Sequence, residues 1–356
     1  MALKTIDEIE KLAKNFYKYL DFTTAKLIEH ILSYDYLPLK ADITKDLGIP
    51  SYTLSRKLNY LKKLGVAFGV NIDFSSIGLR RLVIIVKSYI ERDIVEKDEK
   101  FGKFLNFYAP ILLPFQGTLL TYYIPASIDV GKLISALSRK DIDNYEVVIK
   151  SVYSKAKLTY HFDFIRKEFK IDWDRLYRIS SESTSVIKGI TDELCVEGCK
   201  SSRFDLLDLL IIDQLEVDPF RNIVSISKEL GISYAKVLRH LKQHVSRIVR
   251  GFRLRLIPLP LGSSLYVCIR VEGNYNLLYR LANALSELVF IAGIHLSPQN
   301  AMYILAVITP DILNSLIKFL SEFGVDYDIY LLDRTRRVVY TLPYTGYSKF
   351  LRDWTI

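Results

Sequence analysis

Three observations predict an α+β fold written twice along one chain. Residues 43–49 read ITKDLGI and residues 226–232 read ISKELGI. Each heptad sits inside a pattern of three helices and one strand, and each such pattern is followed by elements in the order βαββαβ. The first pattern is that of a winged helix-turn-helix and the second that of a ferredoxin-like split βαβ domain. The predicted class is therefore a tandem duplication of a winged helix-turn-helix followed by a ferredoxin-like βαββαβ domain. Register supports the repeat: Ile43, Lys45, Leu47, Gly48, Ile49, Arg56 and Leu58 fall opposite Ile226, Lys228, Leu230, Gly231, Ile232, Arg239 and Leu241 at one constant offset. An offset that survives a turn and enters the next helix is better evidence than a short coincidence.

In the first copy, Leu27, Ile28, Ile31 and Leu32 give Thr24–Ser33 an amphipathic spacing. Leu39–Leu47 is a short helix stopped by Gly48. A third helix runs from about Ser51 to Leu64, with Leu54, Leu58, Leu61 and Leu64 on one face, and Val66–Ile72 is the wing. The second copy repeats the order with Phe204–Gln214, Ile223–Leu230, Ser233–Ile248 behind a Ser233 cap, and a wing at Gly251–Leu259. Arg253 and Arg255 alternate there with Phe252, Leu254 and Leu256, so one face of that strand is charged and is expected to meet DNA backbone.

The first βαββαβ is read as Leu82–Tyr89, Lys100–Tyr108, a hairpin Ile111–Ile124 turning near Gln116–Gly117, Val130–Ser138 and Tyr145–Tyr153. The second is Leu265–Val271, Tyr275–Leu288, a hairpin Ile291–Thr309 turning near Pro298–Asn300, Asp311–Phe323 and Tyr327–Leu332. A sheet with helices on one face needs a cover on the other, and the second copy can supply it. The domains follow: an N-terminal helix at 1–20, winged helices at 21–78 and 203–260, ferredoxin-like domains at 79–165 and 261–345, a connector at 166–202 with a helix near Trp173–Ile179, and a tail at 346–356.

The chain has 356 residues and a formal charge of +9, which admits nucleic acid as a partner. The charge concentrates on both reading heads, with Lys40, Lys45, Arg56, Lys57, Lys62 and Lys63 on the first and Arg221, Lys228, Arg239, Lys242, Arg247, Arg250, Arg253 and Arg255 on the second. No apolar run is long enough for a bilayer span and the first twenty residues lack a leader's apolar core, so a cytoplasmic protein without membrane contact is expected. The three cysteines, Cys195, Cys199 and Cys268, make no disulfide framework, and no histidine follows the first pair at zinc-finger distance. Neither a metal nor a cofactor is expected. The chain has no P-loop, HExxH or GxSxG, so it is read as a non-enzyme.

The expected partner is double-stranded DNA. On the first head the outward residues are Ser51, Tyr52, Thr53, Ser55, Arg56, Asn59 and Tyr60, with Lys57, Lys62 and Lys63 nearer phosphate. On the second they are Tyr234, Lys236, Arg239, His240, Lys242 and Gln243, backed by Arg247, Arg250, Arg253 and Arg255. A small-molecule effector site is placed at Gly293, Ser297, Gln299 and Asn300, and further homo-oligomerisation is assigned to the sheet domains.

The segments LGIPSYTLSRKLNYLKKLGV at 47–66 and GVNIDFSSIGL at 69–79 resemble the reading head of the leucine-responsive regulator/AsnC (Lrp/AsnC) family in its archaeal form. The resemblance implies a winged helix joined to a ferredoxin-like effector and dimerisation domain. It implies DNA contact by Ser55, Arg56 and Lys57, and by Arg239 and His240 in the places of Arg56 and Lys57. A chain with two such units resembles a dimer fused into one polypeptide, acting as a sequence-specific transcriptional regulator. Pro50 stands where the family usually has a polar cap, and Leu238 replaces the serine matching Ser55. The same two-domain unit also resembles sirohaem decarboxylases, whose activity would need Arg and His converging on a polycarboxylate. Arg80, Arg81, Arg270, His161 and His295 are the candidates, and sequence spacing places no convergent set among them.

Overall fold

The computed structural model describes residues 6–131, 134, 142–148, 150–182, 203–256, 263–351 and 353–355. The first helices, α1 (Ile6–Tyr19), α2 (Phe22–Leu32), α3 (Lys40–Leu47) and α4 (Ser51–Lys63), precede a strand β1 (Ala67–Ile72). Asp21 caps α2 by accepting the Thr24 amide at 2.6 Å. Gly48 ends α3 at φ +61°, in the left-handed region that lacks penalty only for glycine. Phe16 of α1 and Leu20 just after it close under the α2–α4 core.

The sheet domain that follows contains β2 (Leu79–Val86), α5 (Arg92–Glu96), β3 (Leu105–Leu113), β4 (Gly117–Pro125), β5 (Ile142–Val148) and β6 (Lys150–Val152). The helix expected at Lys100–Tyr108 is instead one 3-10 turn, Gly102–Phe104, leading into β3. Leu105 and Tyr108 pack on one core while Phe107, Ala109 and Ile111 pack on another, and a strand buried on both faces has no clean period to read. The strand expected at Tyr145–Tyr153 is divided into β5 and β6. Most of the expected helix Val130–Ser138 lies outside the described residues, as do residues 183–202 with Cys195 and Cys199, and residues 257–262 beyond the second wing.

A small hairpin of β7 (Phe162–Asp163) and β8 (Glu168–Phe169) packs on Phe16 and precedes α6 (Trp173–Ser181), the helix expected in the connector. The second head consists of α7 (Leu206–Val217), α8 (Ile223–Leu230), α9 (Tyr234–His240), a π-helical turn at Leu241–Val245, and β9 (Val249–Leu256). Gly231 ends α8 at φ +65°, as Gly48 ends α3, and Ser233 caps α9 by accepting the Lys236 amide at 3.3 Å. The chain continues as β10 (Leu265–Glu272), α10 (Tyr275–Leu285), β11 (Ile291–Leu296), β12 (Ala301–Ile308), α11 (Pro310–Glu322) and β13 (Asp326–Leu332), matching the second βαββαβ expectation. β14 (Val338–Val339), β15 (Tyr347–Ser348) and β16 (Asp353–Trp354) finish it.

The architecture is α+β, with winged-helix-like and sheet units recurring along the chain. Two joins tie the units together. The wings β1 and β9 pair antiparallel with each other, so Phe252 and Leu254 enter the first head's core while Val70 and Ile72 enter the second's. The larger strands form one ten-stranded sheet, ordered β5-β2-β4-β3-β13-β10-β12-β11-β6 with β14 beside β3. β5 pairs with β2 at one end of this order and β6 with β11 at the other, yet Val148 and Lys150 are only two residues apart. The sheet therefore curls until its ends meet. Val83, Phe107, Leu119, Tyr266, Cys268 and Tyr303 fill the interior as one apolar cluster drawn from both halves. The Glu146–Arg270 pair, 2.9 Å, spans that interior from β5 to β10.

Candidate functional site

A buried basic cluster sits where the curled sheet meets the paired wings. Arg81 lies on β2, in phase with the inward-facing Val83 and Ile85, and is buried. Its Nη1 stands 2.7 Å from Nδ1 and 2.8 Å from Nε2 of His295 on β11, and 3.3 Å from the Ser151 hydroxyl on β6. Its Nη2 donates to the hydroxyls of Tyr123, at short range, and Tyr153, at 3.4 Å. Phe74 stacks on Tyr123 at 3.7 Å between centroids, and the Arg81 guanidinium lies 4.8 Å from the Tyr123 centroid.

Arg253 of β9 brings a second guanidinium, 5.2 Å from the Tyr153 ring centroid, and pairs with Glu216 of α7 at 3.1 Å. The position is made possible by Gly69. A Cβ there would lie 2.6 Å from Cδ of Arg255 and 3.3 Å from Nε of Arg253, so its absence lets both arginines cross β1. The charged face of this wing is thus turned onto Glu216. Arg253 binds its carboxylate and is drawn in rather than facing outward as the alternation suggested, while Arg255 donates to its carbonyl oxygen at short range and stays exposed. Opposite His295, the missing side chain of Gly293 leaves a Cβ position 3.4 Å from the imidazole.

The electrostatics are unbalanced. Among the described residues, the guanidinium groups of Arg81 and Arg253 and the His295 imidazole meet one carboxylate, Glu216, which also faces Arg255, and the buried Nε atoms of Arg81 and Arg253 have no hydrogen-bond partner. Burial first, then Arg81 and Arg253, pushes the His295 pKa well below its ordinary 6.5, so the ring is neutral. For Tyr153, burial opposes ionisation, but the pull of Arg81 and Arg253 prevails and leaves the phenol below its ordinary value. Burial raises the Glu216 carboxyl, against the pull of Arg253.

Of the residues singled out for a polycarboxylate, Arg81 and His295 converge and the other three do not. Arg80 donates to the Ile128 carbonyl, Arg270 pairs with Glu146, and His161 lies 3.6 Å from Glu287 beside the connector. The absence of a convergent set in the sequence reading is therefore corrected. Sequence spacing could not show it, because the pair forms only when the sheet closes through β5 and β6. Tyr123, Tyr153, Ser151 and Glu216 had no signal of their own.

A second cluster joins Asp208 of α7 to α9 and the π-helical turn that follows it. His240 Nδ1 lies 2.8 Å from Asp208 Oδ1, and His244 Nδ1 3.0 Å from Oδ2. Asp208, His240 and His244 offer ligand atoms all within 4.8 Å of one another. His240, expected on the outer face, is 5% exposed and faces inward, because Asp208 draws its ring onto α7.

The remaining DNA candidates are placed as follows. Ser51, Tyr52, Arg56, Asn59, Tyr60, Lys62 and Lys63 are exposed, while Thr53, Ser55 and Lys57 are half-buried. Lys62 pairs with Asp218 of the other head at 2.8 Å. Tyr234, Lys236, Arg239, Lys242, Gln243, Arg247 and Arg250 are exposed, and Arg250 reaches Asp73 at 3.3 Å. Of the effector candidates only Gly293 adjoins His295. Ser297 is buried in the hairpin, its hydroxyl accepting the Gln299 amide at 3.2 Å, while Gln299 and Asn300 are exposed in the turn. No helix among the described residues is long and apolar enough to cross a membrane.

The fold and these sites define an α+β protein that joins winged-helix-like units to a curled sheet with a buried basic cluster. No family model matches the chain. It is 32% identical over 105 residues to the HTH-type transcriptional regulator LrpA of Pyrococcus horikoshii, a match covering 29% of this chain and 74% of the regulator. The same values hold for LrpA of Pyrococcus abyssi. The chain belongs to this archaeal Lrp/AsnC-type family. Two solved structures of the sirohaem decarboxylase NirDL are also similar. One, in complex with an iron-uroporphyrin III analogue, has a TM-score of 0.44 at 13% identity and covers 87% of this chain and 90% of its own. The other has a TM-score of 0.46 at 14% identity, covering 90% and 95%. The reading as a non-enzyme is corrected by the geometry: Asp208, His240 and His244 cluster, and Arg81 and His295 converge.

Proposed function

We propose that the chain is a decarboxylase-type enzyme whose substrate is a polycarboxylate of the sirohaem class, bound where Arg81, Arg253, His295 and Tyr153 meet. The observation that carries this reading is the Arg81–His295 contact between two halves of the chain, inside a cluster with more cations than carboxylates. Guanidinium forks match carboxylates two bonds at a time, and the two partnerless Nε atoms are donors for such a ligand. Loss of CO2 breaks a carbon–carbon bond and leaves an electron pair on the substrate, which must then take a proton. Tyr153, its phenol made more acidic by the two arginines, is the group assigned to deliver it. Gly293 keeps space beside the neutral His295 ring for the substrate edge.

The test is to mix the full chain with sirohaem, follow binding by absorbance and follow loss of CO2 by mass. Wild type should bind and decarboxylate, Arg81→Met should lose binding, and Tyr153→Phe should bind but turn over slowly. Absence of both binding and mass loss in the wild type removes the reading.

A second reading is favoured by the exposed outer face of α4, where Ser51, Tyr52, Arg56, Asn59 and Lys63 are free of the core. In it the chain, taken as an internal pseudo-dimer with the domain limits given above, binds duplex DNA through its heads as a regulator. If genomic and unrelated duplexes compete equally at physiological salt, or if Arg56→Ala leaves binding unchanged, that reading fails.

A further inference from the structure

The Asp208 cluster lies on the same helix as Glu216 but eight residues earlier, about 12 Å along the axis, and the basic site does not use it. Its three side chains come from α7, α9 and the π-helical turn that continues α9. Asp208 is the third residue of α7, wholly buried, with Oδ2 also accepting the Asp205 amide at 2.9 Å. His240 ends α9, and His244 follows one turn later inside the π-helical turn Leu241–Val245. Such turns in an α-helix concentrate at functional sites. Here the widened turn still leaves both Nδ1 atoms on one carboxylate, with the rings edge to face at 5.2 Å.

We propose that Asp208, His240 and His244 form a binding site for a divalent cation of the zinc class, which would pin the second recognition helix to α7. Two imidazoles and one carboxylate are the donor set such borderline ions take, and three protein ligands leave a position open for water or a fourth group. Metal–ligand bonds near 2.0–2.1 Å in a tetrahedron require ligand atoms about 3.3 Å apart. The 2.8 and 3.0 Å separations between carboxylate and rings need widen only by a few tenths of an ångström, and all the ligand atoms already lie within 4.8 Å of one another, so rotation of the two histidine side chains has to close the remainder. Asp205 Oδ1, 3.8 Å from His240 Nδ1 and on an exposed side chain, is placed to become the fourth ligand. His244 is partly exposed and supplies the route of entry.

The test uses the full chain with Cys195→Ser and Cys199→Ser, so that these thiols cannot be the ligands, stripped by chelator and titrated with cobalt(II). Expected is one equivalent of cobalt with the visible absorption of a tetrahedral site, displaced by zinc and accompanied by a rise in the thermal midpoint. His244→Ala and Asp208→Asn should lose the spectrum and the thermal rise while keeping the far-ultraviolet dichroism of the parent. His244→Gln serves as the second variant if alanine disturbs the helix. Cobalt absorption no greater than that of the free ion, or absorption surviving both His244 variants, overturns the site.

Discussion

Glu216→Gln is the substitution that most directly measures the charge imbalance of the basic cluster. Glu216 Oε1 accepts from Arg253 at 3.1 Å, while Oε2 accepts the Leu342 amide at 2.7 Å, a bond glutamine can keep through its carbonyl. The change therefore removes the charge and puts an amide donor in place of the oxygen that accepts from Arg253. At 3.1 Å and an effective dielectric near 20, the attraction is about 5 kcal/mol. Arg253 is 21% exposed and the carboxylate itself is released from a desolvated position, so the net loss expected is about 3 kcal/mol. The loss should appear as a lower urea midpoint in tryptophan fluorescence, which Trp354 reports from the core beside Phe104 and Tyr347. Adding Arg253→Met should recover most of it, because removing both members of a buried pair is far less costly than removing one. A Glu216→Gln protein within about 0.5 kcal/mol of wild type, or a double variant no better than the single, would show that Arg253 is solvated and that the cluster carries no excess charge.

The other predictions concern pH and geometry. His295 has a folded pKa well below its unfolded 6.5, so its contribution to stability is present above about pH 6.5 and is lost as the pH falls below it. The slope there should be at most about 1.4 kcal/mol per pH unit, and His295→Gln should remove it from stability measured between pH 7 and pH 5. Burial raises the Glu287 carboxyl, but His161, 3.6 Å away, and the Arg175 hydrogen bonds prevail and take it down to about 2. Its contribution is thus full above about pH 4.5 and lost as the pH falls towards 2. Glu287→Gln should cost about 2 kcal/mol at neutral pH, discounted because Arg175 is 25% exposed, and should loosen α6 in hydrogen exchange. Gly251 has φ +91° and a Cβ there would lie 2.0 Å from the Tyr34 carbonyl oxygen, so Gly251→Ala should lower the thermal midpoint markedly, by several degrees at least.

The helices of both heads were legible because each carries its own period and its own stops. Gly48 and Gly231 end their helices in the left-handed region, and Leu54, Leu58 and Leu61 mark one buried face of α4. The second sheet unit was legible for the same reason, its α10 and α11 being amphipathic and its strands bounded by turns. The first was less so. β3 is buried on both faces, and the strand read as Tyr145–Tyr153 changes partner midway, which no local pattern records. His240 was misread because a basic helix presents its charges outward unless a buried acid lies opposite, and Asp208 is thirty-two residues away in sequence.

The basic site follows from that change of partner. Arg81 and His295 lie 214 residues apart, and either side chain alone reads as a charged or polar residue at a strand position. β5 holds the strand to β2, one edge of the order, and β6 holds it to β11, the other edge, so the two residues face each other across the curled sheet. Ser151, paired in register with His295, bridges to both at 3.3 and 3.0 Å. The crossing of the chain between Val148 and Lys150 is thus what turns two distant polar positions into one site. Ser151→Pro should break the β6–β11 pairing, since proline removes the amide that a ladder needs, and Ser151→Ala, which loses the same hydroxyl bridge but keeps the amide, is its control. A Ser151→Pro chain that still binds the polycarboxylate with wild-type affinity would show that Arg81 and His295 do not need this closure to meet.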